Sequence, residues 1–195
     1  AAWATYSVIL GHMGEEIVAA NSVISTIRDL TSVLFFGMAY GGAILLGKQI
    51  GSGDLPLAKR NASRLIKSTT LVGFLSAVIL FCLKPVLPLI ADLSPLAAHY
   101  RDSLLFINCV SSLGAAINTV LICGVFRSGG DARYGFIVDS IVMWCVSVPL
   151  GFLAAFVFKL PPIWVYILLY LDELEKMPAL IIHYKKGTWL KNITR

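Results

Sequence analysis

Charged residues are scarce in this sequence. Of its 195 residues, 14% are Asp, Glu, Lys or Arg and 57% are apolar, and the mean hydropathy is +0.81. A soluble domain has about 25% charged residues, so the composition excludes an ordinary soluble fold. The net charge is +5, yet the basic residues lie beside apolar stretches and form no patch interleaved with aromatic rings. We therefore expect a lipid bilayer as the partner, and no nucleic acid.

Cysteine is also rare, and the sequence lacks the motifs of familiar enzymes. The four cysteines fall in or beside different apolar stretches, without CxxC spacing, and we interpret them as small buried side chains: Cys82, Cys109, Cys123 and Cys145. No GxSxG, HExxH or DDxxD motif is present. We therefore predict that the protein is not an enzyme and that it has no catalytic residues, metal site or cofactor.

Long uncharged runs are what the sequence does contain. Four of them approach the roughly 20 residues that a helix needs to cross about 30 Å of hydrocarbon: residues 30–47, 68–83, 103–126 and 140–158. A fifth run, 160–171, is long enough only if it continues through the charges that follow it. We predict an all-α integral membrane protein with crossings at about 17–50, 65–91, 100–126, 135–158 and 162–183. The preceding stub, 1–10, is too short to cross, so we expect a fragment that begins partway through a helix.

Lys and Arg are distributed unevenly among the predicted connections. Five lie between Lys48 and Lys67, two between Arg127 and Arg133, and five in the tail from Lys176 onwards. The opposite connections carry three, which are Lys84, Arg101 and Lys159. Cytoplasmic connections of membrane proteins are enriched in basic residues, so we predict a cytoplasmic C-terminus.

Polar residues share one face in two of the predicted helices. At roughly 100° per residue, the polar residues of the first crossing fall within about a third of a turn: Asn21, Ser22, Ser25, Arg28, Asp29 and Ser32. The third crossing has a similar uncharged face: Asn108, Ser111, Ser112, Asn118 and Thr119. Each face would line either a cavity or a contact between helices. Because Arg28 and Asp29 point about 100° apart, we expect each to find its partner on another helix.

The last predicted crossing contains four charged residues: Asp172, Glu173, Glu175 and Lys176. A charge at the bilayer centre costs about 3 to 10 kcal/mol, so such residues usually pair or face water. Lys176 is spaced to pair with Asp172 at i, i+4 and with Glu173 at i, i+3. The quartet is then either a paired patch that stabilises the helix or a negative surface for a cation or proton. For Asp139, in the preceding crossing, the pattern favours capping a helix or reaching towards the interface over a functional role.

Four segments carry a resemblance to a known family. They are "ILGHMGEEIVAANSV" (9–23), "GMAYGGAILLGKQIGSGDLPLAKRNA" (37–62), "GVFRSGGDARYGFIVD" (124–139) and "LDELEKMPALIIHYKKGTWLKNITR" (171–195). Together they resemble the C-terminal half of a multidrug and toxic compound extrusion (MATE) transporter. In the turns "GSGD" and "SGGD" we expect Asp54 and Asp131 to cap the following helices.

The resemblance implies the C-terminal six-helix lobe of a twelve-helix MATE-type antiporter, comprising the end of helix 7 and helices 8 to 12. Such a protein would export small organic cations in exchange for H+ or Na+, with the missing N-terminal lobe as its partner. We expect it to be a multi-pass protein of the plasma membrane, in this case the bacterial inner membrane. Sodium-coupled relatives often carry an acidic residue in helix 10. Here that region reads "GAAINTV" (114–120), with Asn118 as its polar residue, so the coupling ion stays open.

The polar faces and the charged quartet supply the candidate residues for a substrate and cation cavity. They are Asn21, Ser25, Arg28, Asp29, Asn108, Ser111, Asn118, Asp172, Glu173, Glu175 and Lys176. One alternative is a lipid-linked oligosaccharide flippase of the same superfamily, although such proteins usually line their cavities with several Arg and Lys. Another is a membrane scaffold without transport, in which the polar faces only join helices.

Overall fold

The computed structural model describes residues 2–190, and every regular element in that range is helical. The α-helices are α1 (Ala2–His12), α2 (Glu15–Gly51), α3 (Leu55–Cys82), α4 (Leu87–Ile90), α5 (Pro95–Thr119), α6 (Ala132–Ile141), α7 (Val148–Phe152), α8 (Pro162–Tyr170) and α9 (Asp172–Lys186). Helix α5 runs on into a π-helical segment, Val120–Phe126. A second π-helical segment, Val142–Ser147, joins α6 to α7, and a third, Leu153–Val157, continues α7, so that Ala132–Val157 forms one long helix.

Four helices are long and apolar enough to cross a membrane: Glu15–Gly51, Leu55–Cys82, Pro95–Phe126 and Ala132–Val157. This agrees with the predicted all-α membrane fold. The segment of the predicted last crossing is divided at Leu171 into α8 and α9, of 9 and 15 residues. Two residues of the tail whose charge was counted for orientation, Lys191 and Arg195, lie outside the described residues.

The two glycine-rich turns end in Asp residues that play different parts. Asp54 caps α3, since its Oδ1 accepts a hydrogen bond from the backbone N–H of Leu57 at 3.1 Å. The capping prediction is wrong for Asp131, whose side chain makes no such bond. Its Oδ2 lies 2.6 Å from Nε2 of His183 instead. The side chain therefore joins the start of α6 to the end of α9.

The interpretation of the cysteines as buried residues is only partly right. Cys109 and Cys123 are half-buried, whereas Cys82 and Cys145 are exposed on the outer surface of the described chain. Exposed apolar side chains, among them Phe81 and Trp144, adjoin these two cysteines in the sequence. In a bilayer such a surface faces hydrocarbon chains, where a thiol needs no cover from protein.

Two apolar clusters form the core, and several polar residues lie between them along the helices. The first cluster includes Ile17, Ile24, Leu80, Leu104, Tyr166 and Tyr170. The second includes Leu46, Ala62, Leu121, Phe126, Leu180 and Trp189. On α2, α5 and α9, the segments between these positions carry Arg28, Asn118 and Lys176. The fold thus gathers polar side chains from separate helices into one layer.

Small residues allow the helices of this layer to approach closely. A Cβ atom added to Gly73 of α3 would lie 2.5 Å from Cβ of Ala116 on α5. One added to Gly114 of α5 would lie 3.1 Å from the backbone oxygen of Glu173 on α9. Membrane helices associate through such small-residue contacts because lipid tails give little hydrophobic drive between helices. The contact at Gly114 brings the charged start of α9 against α5.

Candidate functional site

A cavity of about 120 Å³ lies where α2, α5, α8 and α9 meet. Six of the predicted site residues line it: Arg28, Asp29, Asn108, Ser111, Asp172 and Glu173. Aromatic rings complete much of its wall: Tyr6, Phe35, Phe36 and Tyr170. Among the described lining residues, three bear carboxyl groups and one bears a guanidinium. With these groups ionised, the cavity is negative and aromatic.

Arg28 and Asp29 contact each other, contrary to the expectation from their positions on α2. Nε and Nη2 of Arg28 donate to Oδ1 of Asp29 at 3.1 and 3.0 Å. The angle between two adjacent side chains does not prevent pairing, because the long guanidinium side chain folds back to its neighbour. Arg28 also has the expected partner on another helix, since its Nη1 donates to the hydroxyl oxygen of Tyr170 at 2.8 Å. The Asp29 side chain is 69% exposed.

Two stacked tyrosines of α8 link Arg28 to α5. The ring centroids of Tyr166 and Tyr170 are 4.3 Å apart. Nδ2 of Asn108 donates to the hydroxyl oxygen of Tyr166 at 2.7 Å and to the backbone oxygen of Leu104 at 2.9 Å. The buried Asn108 is therefore fixed by α8 while it lines the cavity.

Lys176 is buried at the centre of a group of three carboxylates next to the cavity. Its Nζ lies 3.3 Å from Asp172 Oδ2 and 3.1 Å from Glu173 Oε1, the two pairs predicted from helical spacing. A third carboxylate, Asp139 Oδ1, lies closer still at 2.8 Å. The side chains of Lys176 and Asp172 are 5% and 4% exposed. One ammonium group thus balances three carboxylates, which leaves the cluster negative when all are ionised.

Asn118 connects this carboxylate cluster to α5. Its Nδ2 donates to the backbone oxygen of Glu173 at 2.6 Å and to Glu173 Oε2 at 2.8 Å. Asn118 is buried at the contact made possible by Gly114. Glu173 is therefore held from two sides, by Lys176 on its own helix and by Asn118 across the helix contact.

The remaining predicted site residues lie around the cavity and do not line it. Asn21 and Ser25 line a neighbouring cleft of about 330 Å³, which shares Tyr6, Arg28, Asp29 and Tyr170 with the cavity. Asn118, Glu175 and Lys176 are absent from both described linings. Lys176 and Asn118 instead contact the carboxylates that do line the cavity. Lys176 pairs with Asp172 and Glu173, and Asn118 donates to Glu173.

Several predicted site residues keep an oxygen atom that has no hydrogen-bond partner among the described residues, although the atom is buried. These atoms are Asn21 Oδ1, Asn108 Oδ1, Asn118 Oδ1 and Glu175 Oε2. A buried polar atom without a partner costs about 1–3 kcal/mol by mutational measurements. All four are acceptors, so a cation or an N–H or O–H donor is the chemistry that would satisfy them.

Sequence reasoning missed Asp139 and the two tyrosines. Asp139 lies 37 residues before its partner Lys176, on a different helix, so helical spacing gives no signal for their contact. Tyr166 and Tyr170 occupy an otherwise apolar run. The available sequence signal is their i, i+4 spacing, which places two hydroxyl groups on the same side of an otherwise apolar helix.

Comparison with known proteins relates the chain to a group of transporters. A family model described as MatE matches residues 4–153. Multidrug and toxin extrusion protein 1 of Xenopus tropicalis is 27% identical over 160 residues, which cover 78% of this chain and 26% of that protein. The chain therefore spans about a quarter of the length of the curated relatives it matches.

Two solved structures share the fold. One is a MOP superfamily transporter from Pyrococcus furiosus, for which a reverse polarity of the binding pocket suggests a different function; it superposes with a TM-score of 0.86 at 13% identity. It covers 97% of this chain, and this chain covers 42% of it. The other is the Vibrio cholerae MATE transporter VcmN in the bent form, with a TM-score of 0.82, 15% identity and coverages of 97% and 43%.

Proposed function

The chain belongs to the MatE family, and on that premise we propose that it forms the C-terminal lobe of a cation-coupled antiporter that exports small organic cations. The matched family model, residues 4–153, supports this proposal, as do the names of the relatives. In the proposal a second lobe of the same protein faces this one. The two lobes rock about a shared site near the middle of the membrane, as in other transporters built from repeats.

The negative, aromatic cavity is the observation that carries the proposal. Carboxylates attract a cation at short range, and the faces of Tyr and Phe rings attract it through their quadrupoles, worth about 2 kcal/mol when water is excluded. Asp29, Asp172 and Glu173 supply the first kind of group. Phe35 and Tyr170 are among the rings that supply the second. Flat organic cations have the matching chemistry.

The size of the cavity is consistent with a site completed by a second lobe. Pockets for drug-sized ligands measure about 300–1,000 Å³, and this cavity measures about 120 Å³. The adjoining cleft of about 330 Å³ shares four of its lining residues. In our proposal the cavity and cleft together form one wall of the substrate site, and Arg28 and Asp29 lie at their junction.

The carboxylate cluster around Lys176 is our candidate for the ion-coupled part of the cycle. Asp172 and Glu173 both line the cavity and contact the ammonium group of Lys176. Binding of H+ or Na+ at these carboxylates would weaken their hold on Lys176 and lower the negative charge offered to a substrate. Coupling ion and substrate would then compete for the same charges, which is what exchange requires.

Transport of a cationic dye by the full-length protein in proteoliposomes tests the proposal. We expect Asp172→Asn to lower the efflux rate at least about tenfold, because losing one partner of a buried ion pair costs more than about 1.4 kcal/mol. Asp29→Asn should lower the rate less, by up to about fivefold, because an exposed ion pair is worth about 0–1 kcal/mol. Asp29 is mostly exposed, so its variant should fold normally. Asp92→Asn, at an exposed position outside the cavity, removes the same charge and should leave efflux unchanged.

Three outcomes would contradict the proposal. Undiminished efflux by both site variants would remove the cavity from the transport path. Transport of a lipid-linked oligosaccharide without dye transport would favour the flippase alternative. If the full-length protein moves neither compound, and the variants change its stability alone, the scaffold alternative is the better account.

A further inference from the structure

The first part of α3 carries three exposed basic side chains on one face. They are Arg60, Arg64 and Lys67. At roughly 100° per residue, the exposed apolar residues further along α3 continue the same stripe within about 60°: Leu71, Phe74, Leu75 and Val78. The buried residues of α3 lie on the opposite side: Ala58, Ala62, Thr69, Gly73, Ser76 and Leu80. We call Arg60, Arg64 and Lys67 the basic stripe.

No ion pair among the described residues involves the basic stripe. Arg60 and Arg64 are spaced at i, i+4, and Arg64 and Lys67 at i, i+3. Like charges at these spacings repel one another on a helix surface. Asp54, the acidic residue at the start of α3, is engaged in capping Leu57. The stripe therefore holds a positive charge that bound anions would stabilise.

The depth of the basic stripe follows from the helix geometry. The uncharged part of α3 from Ser68 to Cys82 is about 22 Å long at a rise of about 1.5 Å per residue. This part fits within the roughly 30 Å of a hydrocarbon core. Because a charge is least costly outside the hydrocarbon, we place Lys67 at its boundary, with Arg64 and Arg60 about 5 and 10 Å beyond it. This is the zone of the lipid headgroups.

We propose that the basic stripe binds the phosphate-bearing headgroups of acidic phospholipids in the cytoplasmic leaflet. The exposed apolar stripe of α3 lies directly below it and would contact the acyl chains of the same lipids. Basic residues next to a membrane helix attract anionic lipids in this way. The two parts of one helix face thus match the two parts of one lipid molecule. This inference does not depend on the proposed transport function.

Competitive lipid retention tests this inference. The full-length protein is purified in the presence of equimolar phosphatidylglycerol and phosphatidylcholine, and the bound lipids are quantified by mass spectrometry. We expect the wild-type protein to retain an excess of phosphatidylglycerol. The variant Arg60→Gln/Arg64→Gln/Lys67→Gln should lose most of this excess, and Arg60→Gln alone should reduce it up to about fivefold, the value for one basic residue near an anionic surface.

The matched control removes three positive charges elsewhere on the same side of the predicted membrane. It is Arg133→Gln/Lys185→Gln/Lys186→Gln, at three exposed positions on α6 and α9. We expect its lipid preference to stay within about twofold of wild type, since its charges lie off the lipid-facing stripe. Three results would overturn the inference: a wild-type protein without the preference, an unchanged preference in the α3 variant, or an equal loss in both triple variants. Glutamine keeps a high helix propensity, and gel filtration of each variant verifies folding.

Discussion

Lys176 is the one cation that three neighbouring carboxylates of the described residues share. Its ammonium group lies within 3.3 Å of carboxylates from Asp139, Asp172 and Glu173. Removing one partner of a buried ion pair is strongly destabilising, since the other charge stays buried without compensation. Here a single substitution would leave three carboxylates close together.

We predict that Lys176→Met lowers the free energy of unfolding of the full-length protein by about 3–5 kcal/mol. The methionine keeps most of the side-chain volume, so lost packing contributes little. Unfolding by SDS in mixed micelles measures the difference. Lys185→Met, at an exposed position of the same helix, should change the value by no more than about 0.5 kcal/mol. Equal losses in the two variants would show that the cluster contributes no net stability.

Helical spacing predicted part of this cluster and could not predict the rest. The contacts of Lys176 with Asp172 and Glu173 follow from positions on one helix. The contact with Asp139 depends on how α6 packs against α9, which no local pattern specifies. Likewise, the face of α5 containing Asn108 and Ser111 was predictable. The pairing of Arg28 with Asp29 was not, because it depends on a rotamer of a long side chain.

Close packing of α3 against α5 limits the residues that these two helices can carry at their contact. Gly73 of α3 faces Ala116 of α5, and an added Cβ would meet the Ala116 Cβ at 2.5 Å. Both atoms belong directly to helix backbones, so neither can rotate away. An extra methyl group must push the two helices apart.

We predict that Gly73→Ala lowers the melting temperature of the full-length protein, with a loss of about 1–3 kcal/mol in stability from overpacking. Gly41→Ala on α2 is the matched control, because a Cβ there meets nothing within 4 Å. Alanine also favours helix over glycine by about 1 kcal/mol, so the control should be neutral or slightly stabilising. Thermal unfolding followed by fluorescence compares the two. A Gly73→Ala variant as stable as the control would contradict the close contact.

Sequence reasoning predicted the apolar spans of the helices better than it predicted where the helices begin and end. The apolar runs identified the four helices that are long enough to span a membrane. Their ends followed local rules only in part. Asp54 caps α3 as predicted, and Pro56 in its first turn also favours a helix start there. The helix therefore extends from Leu55, although the crossing itself is predicted from residue 65.

The described residues, 2–190, form an apolar helical assembly with a polar layer between two apolar clusters. Its predicted all-α membrane fold and its relation to the MATE family are confirmed by the structure and the comparisons. The composition was enough to predict the membrane fold, because few charges and long apolar runs exclude soluble folds. The cytoplasmic C-terminus, the coupling ion and the second lobe stay predictions. The first depends on how the chain is oriented in the membrane, the second on which ion binds, and the third on residues beyond those described.

Our central proposal for the whole molecule is that the cavity beside Arg28 and Asp172 is open to the aqueous side before an organic cation binds there and displaces the water. Labelling of a single introduced cysteine tests it most directly. In a full-length protein whose native cysteines are replaced, Ser111→Cys places a thiol in the cavity lining. Ser76→Cys, at a fully buried position of α3, is the control.

We predict that a hydrophilic methanethiosulfonate reagent labels the cysteine at position 111 much faster than that at position 76. A saturating organic cation should slow labelling at position 111 at least about tenfold, because the bound ligand excludes the reagent, and should not affect position 76. If position 111 reacts no faster than position 76, or if the cation gives no protection, the cavity is not the substrate site.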